Sequence, residues 1–248
     1  MVFGASRGIG KGIALAIAAA GTHVVVVARA QGDGRYPGSA SDTVDEIRAA
    51  GGSASALACD ISDPVNVRDA VDTTGREHGT LDVVINSTVH ISYGELANIT
   101  ADEWDSTYAV NVRGPFVLTK AACEVMRRQR SGHIIHLTGA AARHAHLGNV
   151  LTGSSKAALE RFVAGAAAET RPYGVSVSLF DPGRVRTERA EILQAGTDWT
   201  GIAVPGDVAA AVVHIISLPS TSTNGQRFSY DGSAARGYVS APLLTDAD

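Results

Sequence analysis

Three glycines near the beginning of the chain have the spacing that phosphate binding requires. Residues 4–10 read Gly-Ala-Ser-Arg-Gly-Ile-Gly, between a short apolar run and a helical stretch. A tight turn here brings backbone N–H groups against a pyrophosphate at the positive end of a helix. Gly4 permits the turn, Gly8 lets the phosphate approach the backbone, and Gly10 lets the helix pack on the sheet. The spacing therefore predicts a dinucleotide-phosphate loop rather than an ordinary turn.

The end of the second predicted strand indicates which dinucleotide this loop binds. An acidic residue about 20 positions beyond the glycines would bind a ribose 2′-hydroxyl, whereas an Arg accommodates a 2′-phosphate. Arg29 lies at that distance from Gly10, and Arg7 adds a second cation inside the loop. A guanidinium group can meet phosphate with two parallel hydrogen bonds. We expect NADP(H) rather than NAD(H), the alternative being that Arg29 is a solvated loop residue.

Short β-branched runs alternate with longer helical stretches, and these elements must position the loop. The pattern predicts an α/β fold, a single-domain Rossmann-type doubly wound parallel seven-stranded sheet with helices on both faces, over residues 1–248. The predicted strands are residues 2–3, 23–28, 54–58, 82–86, 133–137, 175–180 and 227–229. The predicted helices are residues 9–20, 42–50, 64–78, 101–130, 149–171 and 206–217. Residues 31–41 are interpreted as an exposed loop and residues 233–248 as a tail.

The first predicted strand is unusually short for the centre of a sheet. Only three residues precede Gly4, whereas a strand normally has about five or six residues. Either the first strand is short, or the start of the chain has been trimmed or assigned late.

Composition and charge exclude several classes of protein. The formal net charge is −4 and the Lys and Arg residues are scattered, so no basic stripe indicates nucleic-acid binding. No apolar run has the length of a membrane span, and no secretory signal is evident. Cys59 and Cys123 are interpreted as free thiols. We expect a cytoplasmic protein with no nucleic-acid, membrane or metal partner.

Several landmarks in the right order resemble the short-chain dehydrogenase/reductase family over nearly the whole chain. The glycine spacing is that of the family, and residues 182–187 match its Pro-Gly-x-x-x-Thr segment, which holds the nicotinamide end. The resemblance implies that Asp60 contacts adenine, that Asn111 has structural and proton-relay roles, and that Lys156 is the active-site lysine. Together the glycine loop and the resemblance predict a cofactor site made of Gly4, Ser6, Arg7, Gly8, Ile9, Gly10, Arg29, Asp60, Ile61, Asn86, Ser87, Thr88, Lys156, Pro182, Gly183, Val185 and Thr187.

The resemblance breaks where the family carries out its chemistry. Its members use a Ser and a Tyr, and the Tyr, four residues before the Lys, protonates a carbonyl oxygen while NADPH supplies hydride. Counting back four residues from Lys156 reaches Thr152, and the Ser position falls on Gly139, beside Thr138. Losing a positioned general acid costs about 10²–10⁴ in rate. Residues 86–89, Asn-Ser-Thr-Val, also depart from the family's Asn-Asn-Ala-Gly at three of four positions.

Another side chain could replace the missing acid. Histidine titrates close to physiological pH, and His90, His144 and His146 lie in regions that border the family's substrate pocket, as does Tyr93. Each of the four could equally be a surface or packing residue, and His136, within a strand, is interpreted as structural. The candidate catalytic residues are therefore Asn111, Lys156, Thr152, Thr138, His90, His144 and His146.

Three functions remain open, because fold alone does not decide function. The favoured one is an atypical NADP(H)-dependent carbonyl reductase or alcohol dehydrogenase acting on a small-molecule ketone or secondary alcohol. The second is a non-redox cyclase, lyase or dehydratase with NADP(H) bound structurally and histidines doing acid–base work. The third is a non-catalytic NADP(H)-binding protein.

The resemblance also has implications for assembly and for substrate access. The family forms dimers or tetramers through two long helices, whose places residues 101–130 and 149–171 occupy. We therefore expect a homodimer or homotetramer. Residues 187–204 lie where the family has a mobile substrate lid, and we expect them to shape the choice of a small-molecule substrate.

Overall fold

The computed structural model describes residues 1–30, 34, 36–232 and 237–243. Within these residues the strands are β1 Val2–Phe3, β2 Val24–Ala28, β3 Ala54–Ala58, β4 Val83–Asn86, β5 Gly132–Leu137, β6 Val175–Asp181, β7 Gln226–Tyr230 and β8 Tyr238–Pro242. They form one sheet in the order β3-β2-β1-β4-β5-β6-β7-β8. β1 to β7 are parallel, and β8 pairs antiparallel with β7. The predicted doubly wound α/β fold is confirmed.

Helices connect the strands across both faces of the sheet. In the described part of the chain the α-helices are α1 Gly8–Ala19, α2 Ala40–Ala49, α3 Pro64–His78, α4 Ala101–Tyr108, α5 Gly114–Gln129, α6 Val150–Thr170, α7 Glu188–Leu193, α8 Pro205–Ser217 and α9 Ser220–Thr223. A five-residue π-helical segment, Ala109–Arg113, separates α4 from α5. The single helix predicted over residues 101–130 is therefore interrupted.

The short first strand lies at the centre of the sheet. Val2 pairs with Val26 of β2 and Ile85 of β4, and Phe3 extends the ladder on both sides. A two-residue strand suffices because both of its edges are paired. The strand order reverses between β1 and β4, and in doubly wound sheets the ligand crevice lies at such a reversal.

Alternate strand residues enter two separate cores. Val24 and Val26 pack with α1, α2 and α8, whereas Val25 and Val27 pack with α3, α5 and α6. Side chains alternate between the faces of a strand, so these β-branched residues bury both faces of the sheet. The two layers of helices fix the carboxyl edge of the sheet, where the candidate site lies.

Two segments differ from the sequence-based expectation. The predicted tail, residues 233–248, contains β8, and Leu243 donates a backbone hydrogen bond to the Gly225 carbonyl at 2.8 Å. The seven-stranded prediction is therefore one strand short, while residues 233–236 and 244–248 lie outside the described residues. In the predicted 31–41 loop, residues 31–33 and 35 are likewise outside the description, and α2 begins at Ala40 because Ser39 and Asp42 form a capping box.

Other expectations concern thiols, membranes and metals. Cys59 and Cys123 are free thiols. Among the described residues, every helix is too short or too polar to cross a bilayer. The same residues contain no group of three or more His, Cys, Asp and Glu side chains placed to hold a metal ion.

Candidate cofactor groove and reaction centre

The glycine loop has the backbone geometry that close approach to a phosphate requires. Gly4 and Gly8 adopt positive φ angles of 75° and 55°, which side chains disfavour. A Cβ atom on Gly10 would lie 2.3 Å from the Gly4 carbonyl oxygen, so only glycine lets α1 start this close to β1. The loop therefore fits a dinucleotide phosphate at the beginning of α1.

A groove of about 910 Å³ runs along the carboxyl edge of the sheet beside this loop. Its size is that of a ligand-binding cleft. The predicted cofactor residues that line it are Gly4, Ser6, Arg7, Gly8, Ile9, Arg29, Asp60, Ile61, Ser87, Thr88 and Thr187. The predicted cofactor residues outside this lining are Gly10, Asn86, Lys156, Pro182, Gly183 and Val185.

Several residues that line the groove escaped the sequence analysis, among them Tyr36, Glu188 and Arg189. The Tyr36 ring lies 5.7 Å from the Arg7 guanidinium carbon and 5.6 Å from that of Arg189. Glu188 accepts a hydrogen bond from the Gly8 N–H at 3.1 Å. The only available signal was position: Glu188 and Arg189 directly follow the Thr of the Pro-Gly-x-x-x-Thr segment, and Tyr36 lies in the predicted 31–41 loop.

Two of the predicted groove residues also stabilise local backbone. The Asp60 carboxylate accepts hydrogen bonds from the Ser62 N–H at 2.8 Å and from the Ser62 hydroxyl at 2.7 Å. The Thr187 hydroxyl accepts from the Ala190 N–H at 3.2 Å and so caps α7. Both side chains therefore set the shape of the groove wall.

Asn86 binds Thr88, one of the residues that line the groove. Its carbonyl oxygen accepts hydrogen bonds from the backbone N–H and the hydroxyl of Thr88, at 3.1 and 2.6 Å. Its amide donates to Nδ1 of His136 at 3.2 Å. Nδ1 is then the acceptor of a neutral imidazole, so Nε2–H is left to donate to the Thr119 hydroxyl at 2.8 Å. Asn86 thus fixes the Thr88 turn without lining the groove.

His136 is a structural histidine, as its strand position predicted. It is fully buried. Burial, with a smaller contribution from the Lys156 charge, lowers the pKa of His136 to about 3. The imidazole therefore remains neutral at physiological pH.

Asn111 belongs to the π-helical segment and binds the loop after β4. Its carbonyl oxygen accepts from the His90 N–H, and its amide donates to the His90 carbonyl, both at 2.8 Å. The same amide donates to the Ser155 hydroxyl at 3.0 Å, and that hydroxyl donates to the Thr152 carbonyl at 2.9 Å. π-Bulges commonly occur at functional sites. These hydrogen bonds show that Asn111 fixes the backbone of His90.

The Thr152 hydroxyl is engaged by the same loop. It accepts from the Ser92 N–H and donates to the Ser92 carbonyl, both at 3.2 Å. The Gly94 N–H also donates to the Gly148 carbonyl at 2.9 Å. These contacts, together with those of Asn111, anchor residues 90–94, hereafter the 90–94 loop. A short hydroxyl committed in both directions is poorly placed to protonate a substrate.

Thr138 contacts a network of charged residues that is exposed at Arg143 and mostly buried at Glu160, Arg227 and Asp181. Its hydroxyl donates to Glu160 at 3.0 Å, and the Glu160 carboxylate also accepts from Arg143 at 2.9 Å and Arg227 at 3.1 Å. Arg227 donates in turn to Asp181 at 2.6 Å. The pairing compensates the charges in this part of the fold.

Lys156 is buried next to this network. Its ammonium donates to the Leu137 carbonyl at 2.7 Å. Burial lowers the pKa of Lys156 to about 8, although the Asp181 and Glu160 carboxylates act in the opposite direction. Lys156 therefore holds the end of β5 to α6.

The structure separates the candidate proton donors. His90 lines the groove and is exposed, on a backbone that Asn111 fixes. His144 and His146 are exposed in the loop after β5 and are not among the groove-lining residues. Tyr93 is 67% exposed and is likewise outside that lining. Of the four candidates, His90 alone among the described residues faces the groove.

Known proteins resemble this chain in sequence and in structure. The family model for short chain dehydrogenase matches residues 1–197. The short-chain reductase protein NovJ of Streptomyces niveus is 34% identical, over 94% of this chain and 92% of that protein. A short chain dehydrogenase from Burkholderia cenocepacia, solved in complex with NADP, aligns with a TM-score of 0.79 and 31% identity over 93% of this chain and 95% of its own.

A metagenomic short-chain oxidoreductase, also solved in complex with NADP, is similar to this chain in sequence and in structure. Its TM-score is 0.75 at 30% identity, over 90% of this chain and 91% of that one. The family model covers well over half of the sequence, and the structural likeness extends over nearly all of it. The chain therefore belongs to the short chain dehydrogenase family.

Proposed function

We propose that this chain is an NADP(H)-dependent oxidoreductase of the carbonyl reductase or alcohol dehydrogenase type. Its substrate class is a small-molecule ketone or secondary alcohol. The observation that carries the proposal is the groove. It is lined by the glycine loop, in which a Cβ atom at Gly10 would clash with the Gly4 carbonyl, and by Arg7 and Arg29. When NADPH is bound there, it supplies the hydride for carbonyl reduction.

The choice of NADP(H) over NAD(H) has two supports. Arg29 directly follows β2, Arg7 lies in the glycine loop, and both line the groove. An arginine at the end of this strand accommodates a 2′-phosphate. The Burkholderia and metagenomic relatives were solved as NADP complexes. Titration with NADP⁺ and NAD⁺ tests the choice: Arg29→Ala should weaken NADP⁺ binding about tenfold and leave NAD⁺ binding unchanged. Equal affinity for both cofactors in the unaltered protein would contradict it.

The proton donor that we propose is His90. Thr152 is committed to Ser92, whereas His90 lies in the groove on a fixed backbone. Its imidazolium would protonate the carbonyl oxygen during reduction and recover a proton from water. Proximity to bound hydride can itself supply a large part of the rate. In this role Asn111 is a positioning residue, because its side chain binds the His90 backbone.

One assay tests this function. The protein is incubated with NADPH and a panel of ketones and quinones, while the absorbance of the reduced nicotinamide and the products are followed. Oxidation coupled to alcohol formation supports the reductase. Product formation without cofactor consumption indicates a non-redox enzyme, and tight cofactor binding with neither outcome indicates a protein without turnover.

A second candidate function is cofactor binding without turnover, which the engaged Thr152 hydroxyl favours. The variant carrying Thr152→Tyr and Gly139→Ser separates the two. An added Cβ at Gly139 meets no atom within 4 Å, so Ser fits there. If reductase activity occurs only in this double variant, the unaltered chain is a cofactor-binding protein. Thr152→Val is the matched control for loss of the Ser92 contact.

The homodimer or homotetramer stays a prediction. In α5, Phe116 is 48% exposed, and it packs edge-on against Phe162 of α6 at 5.9 Å. An exposed aromatic ring at the contact of these two helices is consistent with an interface there. Light scattering measures the molar mass of the unaltered protein and of Phe116→Ser. The prediction requires a dimer or tetramer for the first and a smaller assembly for the variant.

A further inference from the structure

The segment after β6 places a carboxylate on the phosphate loop. The Gly8 N–H at the beginning of α1 donates to Oε2 of Glu188 at 3.1 Å. A Cβ built on Gly8 would meet Thr187 at 3.4 Å and the Glu188 carboxylate at 3.7 Å, so this segment directly covers the loop. Backbone N–H groups at this position are those that a dinucleotide phosphate requires. The carboxylate therefore stands where an anionic phosphate oxygen would bind.

The next residue supplies a cation to the same groove. Arg189 lines the groove, and its guanidinium lies over the Tyr36 ring at 5.6 Å. Its Nε is buried without a hydrogen-bond partner among the described residues. A buried donor without an acceptor is unfavourable. An anion entering the groove would satisfy it.

The other acid of the same helix has a different environment. Glu191 accepts from Arg186 at 2.6 Å, and both side chains are largely exposed to solvent. It is not among the residues that line the groove. Of the two carboxylates in this short helix, Glu188 therefore contacts the glycine loop, whereas Glu191 pairs with Arg186 away from it.

We propose that the phosphate of a bound dinucleotide replaces the Glu188 carboxylate at the Gly8 N–H and is bound by Arg189. This exchange rests on the proposed function, because it presupposes NADP(H) in the groove. One N–H cannot serve two anions, and a carboxylate beside a phosphate repels it. Glu188 therefore lowers cofactor affinity and Arg189 raises it. Because Gly8 lies on the loop predicted to meet the pyrophosphate, the exchange concerns the pyrophosphate.

Calorimetric titration with NADP⁺ and NAD⁺ tests the exchange in four proteins: the unaltered chain, Glu188→Gln, Arg189→Gln and the control Glu191→Gln. Glu188→Gln should bind both cofactors about fivefold more tightly, because it removes the competing charge. Arg189→Gln should bind both about tenfold more weakly, because it removes a charge-assisted hydrogen bond. Glu191→Gln should stay within about twofold of the unaltered chain, since exposed pairs contribute little. Circular dichroism confirms that each variant is folded.

The outcomes separate this inference from the proposed function. Unchanged or weaker binding by Glu188→Gln, with normal binding by the unaltered chain, overturns the exchange and leaves the oxidoreductase proposal intact. If Arg189→Gln binds NADP⁺ more weakly but binds NAD⁺ normally, the pyrophosphate assignment is overturned, because both cofactors contain the pyrophosphate. If Glu188→Gln binds the cofactors and the unaltered chain does not, the exchange is supported, because the Glu188 carboxylate of the unaltered chain then blocks the loop. If neither protein binds, both proposals are wrong.

Discussion

The groove beside the glycine loop and the positions that correspond to the family's catalytic residues share one edge of the sheet, but they differ in how their polar groups are used. The glycine loop, Arg7 and Arg29 line the groove, and the Gly8 N–H donates to the Glu188 carboxylate, which we propose a bound phosphate replaces. At the reaction centre, Asn111 and Thr152 are hydrogen-bonded to the 90–94 loop and Thr138 to Glu160. The groove is thus arranged to bind a ligand, whereas the side chains at the family's catalytic positions stabilise the protein itself.

This difference shows that a polar residue at a family position is not necessarily available for chemistry. A Thr hydroxyl is short and reaches the nearest backbone groups, where it satisfies them locally. Loops fixed in this way also hold the backbone of His90, the one histidine among the described residues that lines the groove. Variants that act on one region and spare the other are the sharpest tests of the comparison.

The largest effect is expected from Gly10→Ala in the cofactor region. The added Cβ would lie 2.3 Å from the Gly4 carbonyl oxygen, so the loop must move. We expect NADP⁺ affinity to fall at least about 100-fold, because a displaced loop loses backbone hydrogen bonds to the phosphate that contribute about 1.5–3 kcal/mol each. The control is Gly139→Ala at the reaction centre, where the added atom meets nothing within 4 Å. Calorimetry should show weaker NADP⁺ binding by Gly10→Ala and unchanged NADP⁺ binding by Gly139→Ala. Equal NADP⁺ affinities of the two variants would contradict the difference between the two regions.

His90→Gln should give the next largest effect, on turnover alone. Removing the proposed general acid should lower kcat about 100-fold and leave the Kd for NADP⁺ unchanged. His144→Gln is the matched control, because His144 is exposed outside the groove lining. Steady-state kinetics and cofactor titration measure the two quantities. Equal rates for both variants would remove His90 from the mechanism.

The buried His136 should make the fold sensitive to acid. Its pKa is lowered to about 3 in the folded protein, whereas an unfolded His titrates near about 6.5. Between these values the unfolded chain binds a proton that the folded chain does not, so stability falls as pH decreases. This group should remove about 2 kcal/mol of unfolding free energy between pH 7 and pH 5.

Urea unfolding at the two pH values checks this expectation. The free energy of unfolding of the unaltered protein should fall between pH 7 and pH 5, and that of His136→Asn should fall by about 2 kcal/mol less. The exposed His146→Asn serves as the control and should behave like the unaltered protein. Identical pH dependence in all three proteins would show that His136 is not the acid-sensitive group.

The smallest effect is expected from Thr152→Val. The substitution removes both hydrogen bonds to Ser92 and should lower the unfolding free energy by about 1–2 kcal/mol. Thr152→Ser retains the hydroxyl and should cost less. NADP⁺ affinity should not change in either variant, because Thr152 does not line the groove. A large loss of cofactor affinity would mean that the two regions are not separable.

Local patterns in the sequence were sufficient for most of the sheet. The run Val24–Ala28 is β-branched and apolar enough to indicate a strand buried on both faces. Strand β8, Tyr238–Pro242, was missed because it ends in Pro and is mostly exposed, as edge strands often are. The π-helical segment was missed because helical periodicity continues through it, and the hydrogen bonds of Asn111 with His90 appear only in the folded chain.

The sequence by itself determined the seven parallel strands of the α/β sheet, the tight glycine loop after β1 and the positions of two arginines near it. These features depend on residues close together in the chain, whose periodicity and backbone freedom act locally. Only the tertiary structure decided that Thr152 binds Ser92, that His90 faces the groove, and that Glu188 reaches Gly8 across 180 positions. Such contacts depend on how loops from different strands pack at one edge, and no local pattern specifies that packing.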